Sequence, residues 1–230
     1  MDKKSLQSEI SSYMGKLLRD NFGKGPTSIY VSIKEPFLTV YIRDFLGPME
    51  RVLINQERTD RVEEMRDLLM QELIPEIKAA LWVMAEIDVQ ELYYDWTLEN
   101  RSGMIVGVYG DRENDTEALE DYHGKEKVHR EIEHVSKQAE KLPEQVDSFF
   151  LNERTLLIER NGILVAIEKE LIRSGFEEKL KLAKRHLEKG LLDLSAFENI
   201  LGTKVRDAFV DWDFNLDRSY FIFVVDPVTV

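Results

Sequence analysis

The feature that most restricts the fold of this chain is a set of periodic segments that occurs twice in the same order. In each half, a helical segment precedes two alternating segments, and a longer helical region precedes two more. Helices and paired strands in this order cover one face of an antiparallel sheet. The sequence therefore predicts an α+β protein of two similar units, each with an antiparallel sheet packed against helices.

Short matches between the halves put the two units in register. The repeated residues lie 116 to 118 positions apart: Asp95-Trp96 with Asp211-Trp212, Pro26 with Pro143, Arg43-Asp44 with Arg160-Asn161, and Glu50-Arg51 with Glu168-Lys169. Offsets this consistent predict an internal duplication, with units at residues 1–112 and 113–230. A duplicated unit often packs like a covalently joined homodimer, so we expect an approximate two-fold axis between the copies.

Two amphipathic segments in the first half predict helices. In residues 5–22, apolar side chains recur at near-helical spacing, and the helix-ending residues Gly23 and Pro26 follow. The second stripe covers residues 62–84 and contains Pro75. Because this stripe stays in phase across the proline, we expect a kinked but continuous helix.

The second half has corresponding helical stripes at residues 128–142 and 180–201, and the latter predicts one long helix. Asn161-Gly162 is ambiguous. Its local pattern is typical of a hairpin turn, whereas the repeat register makes it a loop before a short helix. We favour the register because it uses the whole chain.

Strand signals are alternating apolar and polar residues, rich in β-branched and aromatic side chains. They occur in pairs with short connections, which is typical of antiparallel hairpins. Four hairpins are predicted: residues 28–33 with 37–42, 89–98 with 104–109, 146–151 with 155–159, and 208–214 with 220–225.

Composition excludes several classes of function. The net charge of −13 disfavours binding to nucleic acids and to anionic membrane surfaces. The chain has no cysteine, which excludes thiol catalysis, disulfides and cysteine-based zinc sites. No stretch reaches the ~20 apolar residues that a membrane span needs, and the N-terminus lacks a signal-peptide core. We therefore expect a cytoplasmic protein without direct membrane insertion.

Several motifs of the first half resemble the MpsC-type domain family. They are Phe22-Gly23-Lys24-Gly25-Pro26, Gly47-Pro48-Met49-Glu50-Arg51, Leu73-Ile74-Pro75-Glu76 and the strand that holds Asp95. The resemblance covers residues 5–110. The second half resembles the family only through the internal repeat, because Lys141-Leu142 stands where the glycines before the proline would be.

The resemblance implies a soluble accessory component of a bacterial sodium-translocating, membrane-potential-generating system linked to inorganic-carbon uptake. It implies a protein partner, such as a membrane transporter subunit, and a place at the inner face of the membrane through that partner. A homo-oligomer is also compatible with it. It supplies no catalytic residues and no cofactor.

Four residues are candidates for ligand binding. Asp95 and Asp211 recur in both units and could meet across the two-fold axis as a cation site or a proton-sharing pair, although a strand-end role explains them equally well. Lys24 and Gly25 could hold an anion through backbone N–H groups, although an ordinary turn explains them too. His129 and His134 are five residues apart and share no helix face, so we predict no metal site.

Two functional hypotheses follow from these observations. The first is a non-enzymatic accessory or regulatory protein that presents one face to a protein partner, such as a cation or bicarbonate transporter. The second is a sensor that binds a small ligand or ion between the two units. An enzyme would need a base within reach of a nucleophile in a concave site, and the sequence offers no such set of residues.

Overall fold

The chain forms two compact units, Met1–Glu117 (unit 1) and Ala118–Val230 (unit 2). The computed structural model describes residues 3–111, 116, 119 and 121–227. Each unit has its own four-stranded antiparallel sheet together with helices. The predicted α+β class with two similar units is confirmed, and the predicted boundary at residues 112–113 lies outside the described residues.

The elements of unit 1 are α1 (Lys3–Phe22), β1 (Ser28–Lys34), β2 (Phe37–Arg43), α2 (Pro48–Asn55), α3 (Thr59–Ala85), β3 (Glu91–Thr97) and β4 (Ser102–Val108). The strand order is β1-β2-β4-β3, and every neighbouring pair is antiparallel. Both predicted hairpins, β1-β2 and β3-β4, are present.

The core of unit 1 lies between the sheet and the helices. Ile10 of α1, Ile42 of β2 and Met70 of α3 are fully buried within one apolar cluster. Helix α3 continues through Pro75, as its in-phase stripe predicts. Helix α1 ends at Phe22, and Gly23 follows with a φ of 72°, the left-handed conformation that a glycine after a helix adopts readily.

The elements of unit 2 are α4 (Lys125–Ala139), β5 (Gln145–Asn152), β6 (Thr155–Asn161), α5 (Ala166–Arg173), α6 (Glu177–Leu191), α7 (Leu194–Leu201), β7 (Val205–Asp213) and β8 (Arg218–Val225). Unit 2 repeats the plan of unit 1, with strand order β5-β6-β8-β7. Asn161 ends β6, and Gly162 has a φ of 66° in the loop before α5. The repeat register is therefore confirmed here, and the local hairpin interpretation is wrong.

The long helix predicted over residues 180–201 is wrong, because the structure has two helices there. Helix α6 ends at Leu191, and α7 begins at Leu194. Oδ1 of Asp193 accepts the N–H groups of Ser195 at 3.0 Å and Ala196 at 3.4 Å. This side chain caps a new helix and replaces the bonds of a continuous one, although the apolar stripe keeps its phase.

The predicted match of Arg43 with Arg160 is wrong by one residue. Ile42 lies opposite Gly103, the cross-strand partner of Trp96, in unit 1. Arg160 lies opposite Ser219, the partner of Trp212, in unit 2. Arg160 therefore occupies the position of Ile42.

A bulge in β5 causes this shift, because the pairing register changes between Phe150 and Asn152. The extra residue raises the offset between the two units by one from that point. A one-residue slip moves a strand side chain to the opposite face of the sheet. Arg160 accordingly is buried, as Ile42 is, whereas Arg43 is exposed.

Candidate functional site

The predicted anion turn joins α1 to β1. A Cβ atom on Gly25 would lie 3.0 Å from Nε and 3.3 Å from Cβ of Arg19, so the close packing of the turn on α1 favours glycine. Lys24 in the same turn is half-buried.

A carboxylate lies beside this turn. Oγ1 of Thr27 donates a hydrogen bond to Oδ2 of Asp44 at 2.7 Å. This bond, with smaller contributions from the charges of Lys24 and Arg101, lowers the pKa of Asp44. The charge of Lys24 thus already acts on an anion of the protein, and anion binding by Lys24 and Gly25 stays a prediction.

Asp95 and Asp211 are both buried near the ends of corresponding strands. Oδ1 of Asp95 accepts the N–H of Trp96 at 2.7 Å. Oδ1 of Asp211 lies 2.7 Å from Nζ of Lys181 on α6, which makes an ion pair. Each carboxylate thus has a contact within its own unit, and the meeting of the two across a two-fold axis stays a prediction.

A buried ion pair that the sequence analysis missed lies at the centre of unit 1. Nε of Arg66 on α3 donates to Oε1 of Glu50 on α2 at 2.6 Å, and Nη2 donates to Oε2 at 2.8 Å. The N–H of Gly47 donates to the same Oε2 at 2.6 Å. Glu50 thus caps the start of α2 and holds α2 to α3 with one carboxylate.

Aromatic rings surround the Arg66 guanidinium. Its central carbon lies 4.6 Å from the ring centre of Trp96, 4.8 Å from Phe45 and 6.0 Å from Phe22. Nη2 also donates to the carbonyl oxygen of Phe45 at 3.0 Å. A desolvated cation over aromatic faces is stabilised by the ring quadrupoles. The family-like motif residues Phe22 and Glu50 therefore meet around one arginine.

Unit 2 repeats this arrangement with lysine in place of arginine. Oε2 of Glu168 accepts the N–H of Val165 at the start of α5 at 3.0 Å, and Oε1 accepts from Nζ of Lys184 at 2.8 Å. Nζ of Lys184 lies 5.8 Å from the ring centre of Trp212. Lys184 follows Glu168 by 16 residues, the spacing that separates Arg66 from Glu50 in unit 1.

A sequence signal for this arrangement existed. The offset that matches Glu50 with Glu168 also matches Arg66 with Lys184, so a cation recurs at the same place in a helix. An apolar stripe does not reveal this signal, because charged residues on a helix are usually solvated. A recurring glutamate, cation and tryptophan are a stronger signal than any of the three alone.

Unit 2 carries a second buried pair, and unit 1 has apolar residues at the corresponding positions. Nη2 of Arg160 lies 2.5 Å from Oε2 of Glu188. The same guanidinium donates from Nε to Oγ of Ser219 and from Nη1 to Oγ of Ser136, both at 2.9 Å. Glu188 follows Lys184 by four residues, so it matches Met70 of unit 1.

One serine of unit 2 has a base within reach. Oγ of Ser148 lies 2.7 Å from Nε2 of His129 and 2.7 Å from the hydroxyl of Tyr122. Burial lowers the pKa of His129, so the imidazole is neutral at pH 7. Ser148 itself is fully buried, however, and a nucleophile must meet its substrate. These bonds tie α4 to β5 and do not form an accessible catalytic site.

The comparisons with known proteins agree with this duplicated geometry. The family described as "Na+-translocating membrane potential-generating system (MpsC)" matches residues 2–111 and again residues 125–227. No curated protein and no solved structure matches the chain. Among the helices that the structure describes, none has the length and apolarity needed to cross a bilayer. The two family matches cover most of the sequence, so the chain belongs to the MpsC family and carries two copies of its domain.

Proposed function

We propose that this protein is a non-enzymatic accessory subunit that regulates a Na+-translocating membrane system through contact with one of its membrane subunits. The family description supports the link to such a system. In this proposal, the protein acts at the cytoplasmic face and is held there by its partner. The buried carboxylate and cation of each unit serve to fix α2 on α3 and α5 on α6, so that the helices present a stable surface.

The observation that carries this proposal is an exposed apolar strip on α3. Trp82 and Leu68 are both 56% exposed, and Val83 is 81% exposed. Pro75 and Ala79 are exposed between them. These five residues, the α3 strip, lie on one side of the helix because their spacing follows its period. Exposed large apolar side chains grouped on one side of a helix are typical of sites that bind other proteins.

The opposite side of α3 packs in the core of unit 1. Leu73, Ile77 and Leu81 are almost completely buried. Helix α3 therefore has apolar residues on both sides, whereas a surface helix of a globular protein usually places polar residues outward. Burial of Trp82 and Val83 against a partner would remove this apolar area from water, which favours association.

The test is affinity capture of the tagged full-length chain from detergent-solubilised cells in which it is native. We expect the chain to recover a membrane subunit of a Na+-translocating system. The double variant Trp82→Ser/Val83→Ser should lose most of this recovery. Phe176→Ser is the matched control, because Phe176 is 55% exposed in unit 2, and it should capture the subunit as the wild type does.

A functional measurement accompanies the capture. Cells that lack the protein should show a smaller Na+-dependent membrane potential, restored by the wild type and by Phe176→Ser but not by the double variant. Bicarbonate uptake in the same strains shows whether the system also serves inorganic-carbon transport. Full capture and full potential with the double variant would refute docking through the α3 strip. Recovery of the chain alone under mild detergent would refute a stable membrane complex.

A further inference from the structure

Five charged side chains meet in unit 2, and we name them the Lys184 cluster: Arg160, Lys184, Glu140, Glu168 and Glu188. Nζ of Lys184 contacts Glu140 and lies 2.8 Å from Oε1 of Glu168 and 3.6 Å from Oε1 of Glu188. Arg160 pairs with the other oxygen of Glu188. The side chain of Glu140 is 14% exposed, and the other four are 5% exposed or less.

The cluster has more carboxylates than cations. Burial lowers the pKa of Lys184, but the charge of Glu188 and the hydrogen bonds that Lys184 donates to Glu140 and Glu168 outweigh this effect and raise that pKa, so the amine is charged. Arg160 and Lys184 can offset two carboxylates. A third ionised carboxylate would leave one uncompensated negative charge in a nearly water-free site, which is strongly unfavourable.

The geometry indicates which carboxyl groups share the proton that removes this charge. Nζ of Lys184 contacts Glu140 and lies 2.8 Å from Oε1 of Glu168, so one ammonium holds these two carboxyl groups close together. Two carboxylates in one buried site repel each other, and a proton on one of them removes this repulsion. Burial first, and then the neighbouring carboxyl group of Glu168, raise the pKa of Glu140 to about 7 against the opposing effect of Lys184. Because the proton is shared, the titration belongs to the pair.

Charged groups from each neighbouring element face this pair. Helix α5 contributes Glu168, α6 contributes Lys184 and Glu188, and β6 contributes Arg160. Lys141 and Glu144 lie in the loop after α4, where their charged atoms are 3.9 Å apart. This last pair is balanced, so it leaves the excess of one carboxylate in the cluster unchanged.

Unit 1 has a different charge balance at the same place. Its cation Arg66 faces the single carboxylate of Glu50. Met70 and Ile42 stand where unit 2 has Glu188 and Arg160, and both are buried apolar residues. The buried charges of this site are already neutral as a pair in unit 1. The excess carboxylate is a property of unit 2.

We propose that unit 2 binds one exchangeable proton between Glu140 and Glu168, and that this proton holds the end of α4 against α5 and α6. Glu140 directly follows α4, and its N–H donates to the carbonyl oxygen of Ser136 at 2.9 Å. When the proton leaves, charge repulsion turns Glu140, the most exposed member of the cluster, towards water. The last turn of α4 then loses its tie to the other helices.

The sign of the pH dependence follows from the raised pKa. Between the ordinary glutamate pKa and about 7, the folded chain binds more protons than the unfolded chain. Stability therefore falls as the pH rises through this window and levels off above it. For Glu140, the effect on the unfolding equilibrium constant of unit 2 is roughly 100-fold over the window.

The first experiment is NMR of the full chain with ¹³C at the glutamate side-chain carboxyl, titrated from pH 5 to pH 9. We expect one glutamate carboxyl signal to titrate close to pH 7 in the wild type. This titration should vanish in Glu140→Gln and persist in Glu144→Gln, the matched control at an exposed glutamate. A wild type in which no glutamate titrates above pH 6 would overturn the proposal, as would the same titration in Glu140→Gln.

A second variant keeps the test decisive if Glu140→Gln does not fold. Glu168→Gln leaves two carboxylates and two cations, so Glu140 should titrate at clearly lower pH in that variant. Hydrogen exchange then tests whether the proton holds the end of α4 against α5 and α6. Amide exchange of residues 137–140, corrected for its intrinsic pH dependence, should accelerate above pH 8 in the wild type and stay constant in Glu140→Gln. If these amides exchange at equal rates in the wild type and in Glu140→Gln above pH 8, the proton does not hold the end of α4.

Discussion

Replacement of Arg66 by methionine tests whether the centre of unit 1 depends on a charge pair. Arg66 is completely buried and donates three hydrogen bonds, two to Glu50 and one to the carbonyl oxygen of Phe45. A methionine side chain at this position is unbranched, flexible and apolar, so packing against Trp96 is largely retained. The main loss of stability is electrostatic. Glu50 still accepts the N–H of Gly47, but its buried carboxylate no longer has a cation beside it.

The magnitude follows from what remains buried. Breaking a buried pair by removal of one partner costs about 3–5 kcal/mol, since the other charge is left uncompensated. Glu50 is 2% exposed, so water offers it little compensation. The lost contact with the aromatic rings adds up to about 1 kcal/mol beyond what methionine recovers. We therefore expect Arg66→Met to lower the free energy of unfolding by about 4 kcal/mol.

The double variant Glu50→Gln/Arg66→Met separates the charge from the packing. It buries no charge at this site, and glutamine can still accept the N–H of Gly47. Replacement of a buried ion pair by neutral groups of similar volume is often close to neutral. We expect the double variant to lie within about 2 kcal/mol of the wild type, so it should be at least about 2 kcal/mol more stable than Arg66→Met alone.

Urea unfolding followed by ¹⁹F NMR of 5-fluorotryptophan can measure this in the intact chain. Trp96 reports on unit 1 and Trp212 on unit 2, and both are buried. The Trp96 transition should move to lower urea in Arg66→Met and return most of the way in the double variant. If the single variant costs less than about 1 kcal/mol, or the double variant costs the sum of both singles, the electrostatic reasoning is wrong.

Three further substitutions test local packing, helix propensity and helix capping. A Cβ atom on Gly103 would lie 2.3 Å from carbons of the Trp96 ring. Gly103→Ala should therefore destabilise unit 1 by about 1–3 kcal/mol in the same unfolding assay. Gly190 lies in open space on α6, so Gly190→Ala should stabilise unit 2 by about 0.5–1 kcal/mol because alanine favours a helix more than glycine does. Asp193→Ala should cost unit 2 about 1 kcal/mol and expose the first amides of α7 to hydrogen exchange, because Oδ1 of Asp193 accepts two of them; unchanged exchange would contradict its role as a cap.

Periodicity and composition together predicted most of the fold. The helices keep a period near 3.6, and apolar and polar residues alternate along β1. Strands β4, β6 and β8 are buried along nearly their whole length, so their apolar, β-branched and aromatic content identified them. Those patterns identify an element but not its continuity. Pro75 lies within an intact helix, whereas Asp193 begins a new one, although proline is the stronger helix breaker. The helix breaks at Asp193 because this side chain caps the start of a new helix. A hydropathy pattern does not show whether a side chain caps a helix.

The buried charges were missed for a related reason. Glu50 and Arg66 are separated by 16 residues and meet only because α2 folds back on α3. Hydropathy assigns such residues to solvent, and only a tertiary contact makes their burial favourable. To predict the burial of Arg160, one must also know of the bulge in β5. The bulge shifts the register by one residue, so that Arg160 lies on the core face of β6. The candidate residues Lys24, Gly25, Asp95 and Asp211 came from motif and repeat, which show recurrence but not burial.

The difference between the units at the second charge pair leads to a last prediction. Arg160→Ile should destabilise unit 2 by about 3 kcal/mol or more, because it removes the guanidinium that pairs with the buried carboxylate of Glu188. Glu188→Met should cost a similar amount, since it leaves the buried guanidinium of Arg160 with two serine hydroxyls. The double variant Arg160→Ile/Glu188→Met restores the residue types that unit 1 has at Ile42 and Met70, so it should cost less than either single variant in the Trp212 unfolding transition. Strictly additive costs would show that Arg160 and Glu188 do not act as a pair, and that the two units do not share one packing arrangement at this position.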